Sequence, residues 1–135
     1  MNSSVHSIAP LPAPCYVLLS EKTRISPTVK PLQSGRKCLA LYGFSDKVPY
    51  DLFRASSKLL LTPFPLVKGY LQTLIESVSD ELHLVILDAR GPKDPRVNAA
   101  TMERVLEAQK SQSVTIATDF SLEFDEQSNS YQVLE

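Results

Sequence analysis

The chain of 135 residues contains few of the residues from which common catalytic and ligand sites are built. Its four glycines lie too far apart to form the glycine-rich loop that cradles phosphates in nucleotide-binding proteins. The two histidines and two cysteines have unrelated spacings, so no zinc-binding motif is present. No G-x-S-x-G nucleophile motif occurs either. The sequence therefore predicts no catalytic residues, no metal and no cofactor.

Long apolar runs and a disulfide framework are also lacking. No apolar run approaches the length of a membrane span, and the first basic residue is Lys22, which argues against a secretory signal. Cys15 and Cys38 are too few for a disulfide scaffold, and each lies in an apolar run where a free Cys behaves as a small hydrophobe. We therefore expect two reduced core thiols in a soluble, cytoplasmic protein that does not contact a membrane.

Charge is balanced overall but unevenly distributed along the chain. Residues 119–135 contain five acidic side chains and no basic one, whereas residues 1–37 contain a single acid, Glu21. The two ends could attract each other within one chain or between copies, or both could be ordinary solvated surfaces. The basic side chains of the N-terminal third also leave nucleic-acid binding as a minor hypothesis, although no aromatic-rich stacking surface accompanies them. These side chains are Lys22, Arg24, Lys30, Arg36 and Lys37.

What is present is a set of apolar patterns separated by turn residues. Small polar residues and three prolines predict a mobile or extended tail over residues 1–14, followed by one domain over residues 15–135. Helical spacing of apolar residues predicts helices over residues 49–57 and 65–78 and from Pro95 onwards. A proline-containing extended edge is predicted over residues 24–32. Strands are predicted over residues 15–19, 37–44, 81–88, 114–118, 120–125 and 131–134.

These patterns also predict where particular side chains lie. In the first helix we expect Leu52, Phe53 and Ala55 to face inward, and residues 62–65 to end whatever element precedes them. His83 interrupts an apolar strand without a partner to orient it for catalysis, which favours a structural or surface role. Asp94 is the expected N-cap of the third helix. The inward stripe of that helix is expected to contain Val97, Ala99, Met102, Val105 and Leu106.

The order of elements predicts an α/β fold, with α+β as the alternative. A single mixed sheet with helices packed on it fits this order, because the helical connections in the middle of the chain permit parallel neighbours. The last two strands are joined by a short turn over residues 127–130. They must therefore form an antiparallel C-terminal hairpin.

The turn that follows the strand at residues 81–88 contains the best candidate site. Arg90, Lys93 and Arg96 lie near the expected helix N-terminus, where a phosphate or carboxylate could bind. Asp88 and Asp94 lie among these cations and could instead neutralise them, which would make the turn a surface loop braced by its own ion pairs. We take Asp88, Arg90, Lys93 and Arg96 as candidate ligand-binding residues.

Without a catalytic motif, the sequence favours a non-catalytic regulatory or protein-interaction module over an enzyme. Its protein partner could be a second copy of the chain, which would make it a homo-oligomer. The alternative is a small-molecule or anion-binding protein, with or without enzymatic activity, whose site is the strand-to-helix turn from Asp88 to Arg96. The sequence identifies neither the partner nor the ligand.

Overall fold

The computed structural model of the protein describes residues 10–77 and 80–135. It contains the helices α1 (Lys47–Ser56), α2 (Lys68–Ser77) and α3 (Met102–Ser111). The strands are β1 (Leu11–Pro12), β2 (Tyr16–Ser20), β3 (Thr23–Arg24), β4 (Cys38–Gly43), β5 (Leu61–Pro65), β6 (Leu82–Leu87), β7 (Arg96–Thr101), β8 (Thr115–Ile116), β9 (Phe120–Asp125) and β10 (Ser130–Val133). The first nine residues of the predicted tail, and residue 78 at the end of the predicted second helix, lie outside the described residues.

The main sheet has five strands in the order β10-β9-β7-β6-β4. β4 and β6 run parallel, and the connection between them contains α1, β5 and α2. The other neighbours are antiparallel, including the C-terminal hairpin of β9 and β10. The predicted α/β class, the mixed sheet with packed helices and the antiparallel hairpin are thus confirmed.

Both faces of the sheet are covered at β6, which explains the unbroken apolar run of this strand. All six residues of β6 are buried, as expected for a strand that helices or loops cover on both sides. One face packs with residues of α2 and α3, including Leu71, Met102 and Val105. The opposite face packs with Phe53 of α1 and with partly buried residues of the loop that follows β3.

A smaller sheet has the order β3-β2-β5 and corrects the prediction for residues 62–65. These residues do not merely end the preceding element, because they pair with β2 as part of β5. Pro63 and Pro65 are tolerated because β5 is an edge strand, where a missing backbone donor leaves no neighbour unpaired. A bridge between Tyr16 and Phe44 joins this sheet to the end of β4. Of the predicted extended edge, only Arg24 lies in a strand, and Val29 bridges to Tyr131.

The predicted helix from Pro95 was wrong in its first turns. Residues 96–101 form β7, which pairs with β6 and β9, and α3 begins only at Met102. The N-cap is Thr101, whose side chain accepts a hydrogen bond from the backbone N–H of Arg104, and not Asp94. The five residues of the predicted inward stripe are all buried, but Val97 and Ala99 are buried from a strand.

α1 also differs from its prediction in the face that it buries. Phe53 is 1% exposed and packs against Tyr42 and Phe44, with ring centroids 4.7 and 5.4 Å apart. Leu52 is 51% exposed, and Ala55 is exposed as well, so two of the three residues expected to face inward face solvent.

The N-terminal segment is attached to the domain from residue 11 onwards. β1 pairs with β8, and the N–H of Ala13 donates to the carbonyl oxygen of Val114 at 3.0 Å. Pro14 is buried. The tail was predicted to be mobile or extended up to residue 14, and Leu11–Pro12 is extended and paired with β8. Of the predicted strand over residues 114–118, only Thr115–Ile116 is a strand.

Candidate functional site

Asp88, the first candidate residue, ties the carboxyl ends of the two parallel strands together. Its carboxylate accepts two hydrogen bonds from Ser45, one from the backbone N–H and one from the hydroxyl, each of 2.8 Å. Its own N–H donates to the carbonyl oxygen of Gly43 at 2.9 Å. Asp88 has a φ of 51°, in the left-handed region that Asp tolerates better than most residues. The contacts of Asp88 are therefore those of a structural residue.

The loop from Asp88 to Pro95 joins two antiparallel strands, so no helix N-terminus faces the candidate cations. Asp94 closes this loop, because its carboxylate accepts a hydrogen bond of 2.9 Å from the backbone N–H of Arg90. Gly91 is buried against Ser56 at the end of α1, and a Cβ at this position would lie only 2.9 Å from the Ser56 Cβ. A glycine thus allows the loop to approach the helix closely.

The three candidate cations have different surroundings. Arg96 forms an ion pair of 3.0 Å with Glu123, its cross-strand neighbour on β9. The side chains of Arg90 and Lys93 are exposed and make no hydrogen bond or ion pair with any residue in the described ranges. Among the described residues, neither Asp88 nor Asp94 forms an ion pair with these cations, and the partner of Arg96 lies on β9, so the turn is not braced by ion pairs of its own.

An open groove of about 980 Å³ brings the candidate cations together with the end of α1. Arg90, Lys93 and Arg96 line one side of it, and Lys58 and Leu59, which follow α1, line the other. Lys58 is likewise exposed and, among the described residues, without an ion pair. Sequence reasoning missed Lys58 and Leu59, since no local pattern indicates which distant loop will lie beside them. Asp88 does not line the groove.

A second, inner pocket of about 370 Å³ adjoins the groove and shares Leu59, Pro92 and Lys93 with it. It extends to the buried aromatic residues of the core, among them Tyr42 and Tyr131. The Tyr131 hydroxyl donates a hydrogen bond of 2.8 Å to the carbonyl oxygen of Asp94 and so connects the hairpin to the candidate loop.

The two tyrosines of the inner pocket are held in their neutral form. Burial, followed by the nearby charge of Asp94, raises the pKa of Tyr131 to about 12. Burial is also the main cause that raises the pKa of Tyr42, and the neighbouring Tyr131 adds to it. Because both phenols stay protonated near neutral pH, they can donate hydrogen bonds but do not act as bases there.

Much of the basic N-terminal third is used within the chain. Lys30 forms an ion pair of 2.5 Å with Asp125, which lowers the pKa of that carboxyl. The Arg36 guanidinium donates to the backbone carbonyl oxygens of Asp80 and Glu81. Arg24 stacks over Tyr70, with its guanidinium carbon 3.7 Å from the ring centroid. The pair of Lys30 and Asp125 joins the two oppositely charged ends within one chain, and all three contacts leave fewer cations for nucleic-acid phosphates.

The remaining chemically interesting side chains are not gathered at the groove. Cys15 and Cys38 are both free, but Cys15 is exposed, which corrects the prediction of two core thiols. Burial raises the pKa of the Cys38 thiol to about 11. His83 is buried within β6, and in residues 10–77 and 80–135 its Nε2 has no hydrogen-bond partner. In these same ranges, no group of three or more His, Cys, Asp and Glu side chains could hold a metal ion.

The fold and the groove together define a small α/β protein with an open, basic cleft beside one helix. No protein-family model, no curated protein and no solved structure matches the chain. None of the helices in the described part of the chain is long and apolar enough to cross a membrane.

Proposed function

We propose that this protein is a non-catalytic interaction module that binds an acidic, amphipathic segment of a protein partner on the outer face of α1. The observation that carries the proposal is an apolar stripe on that face. Val48, Leu52 and Ala55 are all exposed and are spaced at i, i+4 and i+7, so they lie along one line of the helix. Val48 is 69% exposed.

Such a stripe is unusual on a helix that already buries another face. The solvent-facing side of a surface helix is normally charged or polar, and the core of this protein uses only Phe53 as a fully buried residue of α1. Among the residues that follow the helix, Leu60 is 87% exposed as well. Exposed apolar patches mark interaction sites in soluble proteins.

The charges that flank the stripe indicate the chemistry of the partner. Lys47 and Arg54 both pair with Asp51, which lowers the pKa of that carboxyl and leaves one surplus positive charge on the helix. Asp46 immediately before the helix and Lys58 just after it offset each other, so the surplus over residues 46–58 remains one positive charge. A partner helix with an apolar stripe and acidic flanks would complement both features, in the manner of a helix docked in an apolar groove.

Selection from a display library of random peptides tests the proposal. Wild-type protein should enrich peptides that combine acidic side chains with apolar residues at helical spacing, and Leu52→Glu should weaken their binding at least about tenfold. Because Leu52 is exposed, the substitution should change the free energy of unfolding by less than about 0.5 kcal/mol. Val114→Glu is the matched control, since Val114 is 82% exposed and lies outside α1.

Two results would overturn the proposal. The first is failure to enrich any peptide whose binding depends on Leu52. The second is concentration-dependent self-association of wild-type protein in sedimentation velocity that Leu52→Glu abolishes, without any selected peptide. That second result would assign the stripe to a homo-oligomer interface instead.

A further inference from the structure

We propose that the groove and the inner pocket together form a binding site for an organic anion with an aromatic body. The anionic group would bind Lys93 and Arg90 at the rim, and the ring would lie in the inner pocket. This site is separate from the apolar stripe of α1, since neither Val48 nor Leu52 lines the groove or the inner pocket.

The first argument is the surplus of positive charge around the groove. Of the four basic residues that line it, only Arg96 has an acidic partner among the described residues. The single acid of the groove lining, Asp94, is already engaged, because its carboxylate accepts the backbone N–H of Arg90. The side chains of Lys58, Arg90 and Lys93 are therefore available to an anion, and the groove attracts negative charge.

The second argument is the apolar wall that begins beside these cations. Leu59 and Pro92 line both the groove and the inner pocket, and Lys93 stands where the two meet. A ligand that places its charge on Lys93 therefore has an apolar surface within reach of its other end. A concave site that is largely apolar and has a few polar groups to fix orientation is the usual form of a small-molecule site.

The third argument is the composition of the inner pocket. Tyr42, Phe53, Phe124 and Tyr131 all line it. Phe124 is only partly buried and the other three are buried, so a planar ring would contact Phe124 above a buried aromatic floor. Offset and edge-to-face contacts between rings are favourable beyond the burial of apolar area alone. The volume of about 370 Å³ lies at the small end of the range for ligand sites, which suits one ring and not a fused polycyclic body.

Titrations followed by amide chemical shifts of Leu59 and Gly91 test the inference with four probes. Phenyl phosphate and phenylacetate carry both the ring and the charge, inorganic phosphate carries only the charge, and phenol carries only the ring. The two bifunctional probes should bind at least about tenfold more tightly than either monofunctional one. A capped Glu-Phe-Glu peptide, added as a further arm, distinguishes a partner's side chains from a free small molecule as the natural source of this chemistry.

Two substitutions and two controls complete the experiment. Lys93→Glu should weaken phenyl phosphate at least about tenfold, and Leu59→Ala should weaken phenyl phosphate more than inorganic phosphate. Lys110→Glu, an exposed cation on α3, and Leu52→Glu on α1 should leave the titrations unchanged. Because Leu52→Glu is the substitution that tests the interaction face of α1, failure of one proposal is distinguishable from failure of the other.

Binding of either bifunctional probe, or of the peptide, with loss in Lys93→Glu supports the site. The proposal is overturned if inorganic phosphate binds as tightly as phenyl phosphate, because the ring would then contribute nothing to the binding free energy. It is equally overturned if no probe shifts the amide signals of Leu59 and Gly91, or if Lys110→Glu weakens binding as much as Lys93→Glu does.

Discussion

Replacing Asp88 by alanine should destabilise the protein strongly, even though Asp88 was a candidate ligand-binding residue by sequence. In the structure its carboxylate does not line the groove but joins the ends of β4 and β6 through Ser45. These two strands are the only parallel pair in the main sheet as described, and β6 leads into the loop that lines one side of the groove. A loss of stability is therefore the expected effect.

The magnitude follows from the two hydrogen bonds and the backbone conformation. A hydrogen bond to a charged group contributes roughly 1.5–3 kcal/mol, and the only partly buried position of Asp88 favours the lower end of that range. Loss of both bonds should thus cost about 3 kcal/mol. Alanine also tolerates a φ of 51° poorly, which adds about 1 kcal/mol. Together these effects lower the melting temperature by roughly 10–15 °C.

Urea unfolding near neutral pH measures this change in the free energy of unfolding. Asp88→Asn is the matched control, because asparagine tolerates the left-handed region and retains an acceptor for the Ser45 N–H; it should cost only about 1–2 kcal/mol. Ser45→Ala removes the hydroxyl bond alone and should cost about 1.5 kcal/mol. The double variant should lose less free energy of unfolding than the sum of the losses in Asp88→Ala and Ser45→Ala.

The reasoning is refuted if Asp88→Ala changes the free energy of unfolding by less than about 1 kcal/mol. Strict additivity of the two substitutions would also refute it, because independent costs would mean that Asp88 and Ser45 do not interact. An unchanged slope of free energy against urea is required for either conclusion, since a changed slope would mean that the unfolded or folded ensemble had altered.

Burial, followed by the charge of Asp94, raises the pKa of Tyr131 from 10.0 to about 12. The stabilisation that this pKa shift gives the folded protein is fully present below pH 10.0 and is lost as the pH rises towards about 12. Tyr131→Phe should reduce this alkaline loss by about 2 kcal/mol in urea unfolding, and an unchanged pH profile would contradict the assignment. Cys15, which is exposed, should react with a disulfide reagent at least about tenfold faster than Cys38, whose pKa burial raises to about 11; equal rates in the two single-thiol variants would contradict this. Thr101→Ala should cost about 1 kcal/mol in thermal unfolding as the loss of the α3 cap, and a neutral result would mean that this cap contributes little.

The central strands and the C-terminal hairpin could be predicted because the sequence pattern of each is compatible with only one local structure. β6 is apolar without interruption since both of its faces are covered, and such a run between turn residues is typical of a central strand. β9 and β10 are separated by a turn too short for a crossover, so an antiparallel pairing is the only geometry available. In both cases local sequence is sufficient, because no distant residue has to be known.

β7 could not be predicted in the same way, because two local signals compete over residues 94–102. Asp94 followed by Pro95 is typical both of a helix start and of a turn. Thr101, the true cap, is followed three residues later by Arg104 and not by the Glu or Gln of a capping box, so its signal is weaker. Pairing with β6 and β9 decides in favour of the strand, and that is a tertiary effect.

For a related reason, the sequence predicted only the side of the candidate site that the loop after β6 forms. The cations of the loop are close in sequence, so their clustering was visible, but Lys58 and Leu59 come from the end of α1. The contact of Gly91 with Ser56 is what places the two segments side by side. Neither residue carries a local signal for that contact, since a glycine in a polar loop is equally compatible with an ordinary turn.

α1 shows most clearly how a wrong side-chain prediction bears on function. Its sequence has apolar residues on two sides, and spacing alone does not say which side is buried. Phe53 is buried because an aromatic ring removes more apolar area from water than Leu52 does and packs edge-on against Phe44. Leu52 and its neighbours on the stripe are then left partly or largely in solvent, where they contribute less to folding than Phe53 does. The proposed function rests on this face, because its apolar area is still available to a partner.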